Sequence, residues 1–111
     1  MSQKAIMVVL TNPSSSDRDE EYNTWYDETH LREVTEVPGI LSARRYVVSA
    51  VQHDPPSSLG DQRYLAIYEI ETDDLASISP ELVARSTDGR FEMTDALQTS
   101  PEPTVVFYEA L

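Results

Sequence analysis

Tyr22-Asn23-Thr24-Trp25-Tyr26-Asp27-Glu28-Thr29-His30-Leu31-Arg32-Glu33-Val34-Thr35-Glu36-Val37-Pro38-Gly39 is the stretch on which the fold turns. Tyr22, Trp25, Tyr26, His30, Val34 and Val37 recur at steps of three and four, which lines them along one face of an α-helix and predicts a buried side there. Asp17, Asp19, Glu20 and Glu21 crowd its start, where the helix dipole favours acids, and Ser16 or Asp17 is placed to cap it. Pro38-Gly39 stops it.

On either side of this helix the pattern changes from a period near four to a period of two. Ala5–Leu10 is a continuous apolar run, suited to a central strand covered on both faces. Ile40–Val51 is rich in β-branched and aromatic residues, and Arg63–Ile70 sets Tyr64, Ala66, Tyr68 and Ile70 on one face of a third strand. Between them Gln52–Gln62, with Pro55-Pro56 and Gly60, reads as an exposed hairpin loop. Asp73 or Asp74 begins a short helical turn, Ser79-Pro80 restarts it as cap and first helical residue, and Gly89 ends it. Phe91–Leu97 reads as one more helical turn, and Thr104–Ala110 as the last strand. The order β-α-β-β-α-β predicts an α+β, ferredoxin-like βαββαβ domain over residues 1–111. It has a four-stranded antiparallel sheet with helices on one face, and right-handed crossovers place the first and third strands in its middle. Two helices cover one face only, yet Ala5–Leu10 and Val105–Tyr108 are apolar on both. A second copy of the chain is the simplest cover, so a homodimer through sheet faces is expected.

Composition narrows the function. The 111 residues carry 8 Lys and Arg against 20 Asp and Glu, a formal charge of −12, which opposes nucleic-acid backbones and anionic membrane surfaces alike. With no cysteine, disulfides, thiolate metal sites and cysteine nucleophiles are excluded. No apolar run is long enough to span a bilayer, and a cytoplasmic location is expected. Three glycines form no phosphate cradle, and two distant histidines make no metal pattern, so neither cofactor nor metal is expected.

Trp25-Tyr26-Asp27-Glu28-Thr29-His30-Leu31 followed by Pro38-Gly39 resembles the dimeric α/β-barrel superfamily, and within it the small EthD-related proteins. Ser42-Ala43-Arg44-Arg45-Tyr46 and Arg63-Tyr64-Leu65-Ala66-Ile67-Tyr68-Glu69 extend the likeness over nearly the whole chain. The resemblance implies a dimeric α/β barrel with His30 as a functional residue. It also brings in activities known in that superfamily: cofactor-free cyclases, isomerases and monooxygenases for aromatic or polyketide-like substrates. Relatives commonly carry Pro two residues after the His; here that position is Arg32, which predicts a helix less sharply broken.

The residues themselves suggest acid–base chemistry. A neutral imidazole at His30 can take a proton and return it near neutral pH. Tyr26 and Tyr22 lie four and eight residues before it on the same helix face, as hydrogen-bond donors to a developing enolate or phenolate. Asp27, three residues before it, is within reach of a ring nitrogen and would hold its tautomer. Trp25, Tyr46, Tyr64 and Tyr68 would line an apolar pocket between helix and sheet, and Arg44 would meet a negative group on the ligand. Arg45 cannot share that pocket, because successive strand residues face opposite ways. The expected function is a cofactor-independent enzyme on a small, largely apolar metabolite, working by cyclisation, isomerisation, elimination or retro-aldol chemistry. The alternatives are a cofactor-free monooxygenase, a binding module that holds such a ligand unchanged, and a structural partner whose pocket its own side chains fill.

Overall fold

The computed structural model describes residues 2–54 and 61–111. Among these, four strands form one antiparallel sheet in the order β2-β3-β1-β4: β1 (Gln3–Thr11), β2 (Ile40–Val47), β3 (Tyr64–Thr72) and β4 (Thr104–Glu109). The first and third strands are the central pair, paired from Gln3 with Thr72 to Thr11 with Tyr64. Pro55, Pro56 and Gly60 of the expected hairpin loop lie outside the described residues. No helix of the described residues is long and apolar enough to cross a membrane.

The first helical stretch opens with a 3-10 turn (Ser16–Arg18) and continues as α1 (Asp19–Trp25), a π-helical turn (Tyr26–His30) and α2 (Leu31–Thr35). Ser15, rather than Ser16 or Asp17, stands at its N-cap, and its hydroxyl donates to the Asp17 carboxylate. With Arg32 in place of a proline the backbone passes through His30 unbroken. The second helix departs from expectation at its start. After a 3-10 turn (Leu75–Ser77), α3 spans Ile78–Thr87, so Ser79 is helical rather than a cap and Pro80 is the third helical residue. Proline is tolerated there because the first-turn N–H groups have no partner within the helix. Residues 91–97 form no helix; they run as an irregular segment that pairs Leu97 with Pro13. Phe91, Ala96 and Leu97 are buried, so the apolar spacing that suggested a helical turn marks core contacts made by irregular backbone.

The helices cover the face carrying Ala5 and Met7 of β1 and Ala66, Tyr68 and Ile70 of β3, and these pack with Tyr22, Trp25, Tyr26, Val34 and Ile78 into one core. The opposite face carries Ile6, Val8, Leu10, Leu65 and Ile67, half-buried, together with exposed Tyr46, Val106 and Tyr108.

Gly39 sets the exit from the first helix into β2. Its φ is +98°, and a Cβ there would meet Ile78 Cδ1 and Thr72 Cβ, each at 3.2 Å. Gly89 has φ +92° but open space around it. Gly39→Ala is therefore expected to cost about 2 kcal/mol in chemical denaturation, through backbone strain and crowding together. Gly89→Ala should cost less, and equal losses would show that crowding at Gly39 contributes nothing.

Candidate functional site

A cavity of about 180 Å³ opens between the helices and the sheet beside β4. Met7, Val9 and Thr11 of β1, Tyr68 of β3 and Val105 of β4 form its floor. Trp25, Tyr26, His30 and Val34 line it from the first helical stretch, Leu82 and Ser86 from α3, and Phe91, Met93 and Leu97 from the irregular segment. An apolar cavity of about 150 Å³ is enough to bind benzene, so this one takes a single ring or its equivalent. A wider hollow of about 570 Å³ lies at one end of the sheet, with Ile6, Leu41, Glu69 and Tyr108 in its lining, and holds no histidine. His30 and the buried phenols of Tyr26 and Tyr68 line the smaller one.

The π-turn shapes this site. Leu31 N–H reaches back to the Tyr26 carbonyl, one residue further than an α-helical bond. In an α-helix, residues five apart sit about 140° apart around the axis. The wider turn instead brings Trp25 and His30 into a ring stack, 4.5 Å between centroids and 19° between planes. Tyr26 and Phe91 meet His30 edge-on, at 5.2 and 5.6 Å. Such aromatic pairs contribute about 1 kcal/mol each beyond the area they bury.

Burial pushes the His30 imidazole down to about 4, so it is neutral at pH 7. Its Nδ1 faces Glu33 Oε1 at 3.7 Å, just beyond a hydrogen bond, and neither atom has another partner among the described residues. A buried unpaired donor or acceptor costs about 1–3 kcal/mol, so a small ring rotation that closes this contact is favoured. The other carboxylate oxygen, Oε2, accepts Glu92 N–H at 2.7 Å. Burial also raises Tyr26, to about 12, and raises Tyr68 with it. Both phenols therefore stay protonated at neutral pH.

Of the residues expected at the site, His30, Tyr26, Trp25 and Tyr68 meet at the cavity. Tyr22 is fully buried behind it, packed on Tyr64 at 5.2 Å and hydrogen-bonded to Thr11, and neither tyrosine lines the cavity. Asp27 does not hold His30. It is turned outward to Arg45, whose Nη1 donates to Asp27 Oδ1 at 2.8 Å, and Glu33 takes the place beside the ring. Arg44 and Tyr46 do not face the cavity either; they lie together on the opposite sheet face. The cause is a β-bulge. Ile40 faces the core opposite Ile70, but Ser42 pairs with Glu69, so one extra residue in β2 reverses the alternation. Arg45 thereby turns inward, its guanidinium 4.4 Å from the Tyr26 ring centroid and bonded to Asn23 Oδ1 at 2.8 Å.

Sequence reasoning set Arg45 outside the pocket, gave Glu33 no part beside His30, and missed the wall formed by Phe91, Met93 and Leu97. The step of three from His30 to Glu33 was a usable signal. Nothing local marked the wall.

No family model matches this sequence, and no curated protein sequence matches it. Solved structures do. A candidate monooxygenase from Shewanella loihica PV-4 superposes with TM-score 0.58 at 14% identity, covering 100% of this chain and 97% of that one. A dimeric ferredoxin-like protein of unknown function from Thermobifida fusca YX gives 0.51 at 8% identity, covering 97% and 92%. The fold is ferredoxin-like. An ethyl tert-butyl ether degradation (EthD) family protein from Bacillus halodurans C-125 gives 0.50 at 11% identity, covering 98% and 99%. The ferredoxin-like and EthD-related likeness read from the helix motif and Pro38-Gly39 is thus matched in three dimensions, and identities this low speak for the fold alone.

Proposed function

We propose that this protein is a cytoplasmic, homodimeric, cofactor-independent enzyme that moves a proton on a small, largely apolar, single-ring metabolite. The observation that carries the reading is His30: a neutral imidazole lining an apolar cavity of about 180 Å³, with a carboxylate 3.7 Å from its inner nitrogen. With Nδ1 turned to Glu33, Nε2 is the nitrogen left to meet a ligand. A buried imidazole is a weak base by itself, because the charge it acquires is poorly solvated. Glu33 offsets this by giving the imidazolium a counter-charge. Tyr26 and Tyr68, held protonated, are the donors available to a developing enolate oxygen. Together these groups suit proton abstraction beside a carbonyl and its return elsewhere, the step common to isomerisation, cyclisation and elimination.

Cyclohex-3-enone is a suitable probe, since it fits one ring and its isomerisation needs only this step. The proton leaves the carbon between carbonyl and alkene and returns at the far alkene carbon, giving the conjugated enone with a new ultraviolet band. Saturable, enzyme-dependent conversion is the expected result. Binding seen by calorimetry without any conversion would instead support a binding module, and absence of both would leave the cavity as packing.

The homodimer reading rests on the bare sheet face, where Ile67 sits centrally on β3 beside Val8 of β1. The Thermobifida protein of the same fold is described as dimeric. Sedimentation should show a dimer at micromolar concentration, and Ile67→Arg a folded monomer, because a buried unpaired charge in each copy outweighs the apolar contact. A monomeric parent protein would remove this part of the proposal.

A further inference from the structure

Reading His30 as the acid–base group leaves open what fixes its ring and what holds the cavity wall. Both converge on Glu33. Its Oε2 accepts Glu92 N–H at 2.7 Å, while Oε1 and His30 Nδ1 face each other at 3.7 Å with no other partner among the described residues. From the other side of the histidine, Trp25 stacks on the ring and donates its Nε1–H to the Glu92 carbonyl at 2.6 Å. Glu92 is therefore held through both its N–H and its C=O by the two neighbours of His30. The residues on either side of it, Phe91 and Met93, line the cavity.

We propose that Glu33 is a positioning residue that fixes the proton of His30 on Nδ1 and ties the cavity wall to the same carboxylate. A carboxylate only accepts hydrogen bonds, so the nitrogen facing it must carry the proton. The Nε2 lone pair is then free for the ligand. This inference rests on the acid–base reading of His30, but it makes a claim about the free protein that can be read without any substrate.

Glu33→Gln separates the two jobs. The amide has one acceptor oxygen and one donating NH2 group. If its oxygen keeps Glu92 N–H, its NH2 faces the histidine and donates to Nδ1, moving the ring proton to Nε2. In nitrogen-15 imidazole spectra, with His53 as internal reference, parent His30 is expected as the Nδ1–H tautomer and the variant's as predominantly Nε2–H. Hydrogen exchange at the Glu92 amide should stay within about threefold of the parent, and kcat on cyclohex-3-enone should fall at least about tenfold with KM little changed. A purely structural Glu33 would not move the tautomer. A parent protein with its proton on Nε2, or a tautomer indifferent to Glu33→Gln, overturns the proposal, and the parent spectrum decides even if the variant fails to fold. Turnover that depends on His30 but not on Glu33 would sink this inference alone. Nδ1–H in the parent, reversed in the variant, without turnover in either would sink the enzyme reading instead.

Discussion

His30→Ala is expected to lower turnover of cyclohex-3-enone by about a hundredfold to ten-thousandfold, the usual loss when a general base is removed. The protein should remain folded but less stable. The ring stacks on Trp25 and meets Tyr26 and Phe91, so its removal leaves a hole in an aromatic cluster and should cost about 1–3 kcal/mol. The comparison must therefore be made well below the variant's Tm, with the folded fraction measured by circular dichroism. Tyr26→Phe should cost less activity, about tenfold, because one donor is lost while the ring remains packed. The two readouts separate the roles of His30. If His30→Ala keeps parental turnover per folded molecule, the imidazole is a packing group and the proposed mechanism is wrong.

A second large effect is expected in stability against pH. Burial lowers the His30 pKa from 6.5 to about 4. Between those values the unfolded chain takes up a proton that the folded chain refuses, so stability rises with pH across this window and is lost as pH falls through it. Below about 4 both states are protonated and the loss stops growing. The depression corresponds to about 3 kcal/mol when fully expressed. The chain also carries twenty Asp and Glu, so the parent's own acid curve is not the histidine's alone. The difference between the parent and His30→Gln isolates the histidine. Relative to the variant, the parent should weaken from pH 6.5 to pH 4, read by urea unfolding at each pH. A difference that stays constant over this range would mean that His30 titrates normally, and that Glu33 fully compensates its burial.

What the sequence determined by itself was what repetition encodes. A helix face repeats every three to four residues and a strand face every two, so Tyr22 to Val37 and Ala5–Leu10 announced their elements directly. The order of those elements, with right-handed crossovers, placed β1 and β3 in the middle of the sheet. His30 and Tyr26, four residues apart, were legible as one side of one helix. What only the tertiary structure decided were departures from those periods. The β-bulge between Ile40 and Ser42 reversed the phase of β2 and exchanged Arg44 for Arg45 on the core face. The π-turn brought Trp25 onto His30, which an unbroken α-helix would have kept apart. Asp27 and Glu33 both stand three residues from His30, and local spacing cannot choose between them. Arg45 on β2 draws Asp27 outward, while Glu92 from the irregular segment holds Glu33 beside the ring. Each choice depends on residues distant in the chain, because it is their packing and hydrogen bonding that offset a local irregularity or fix a side chain's direction.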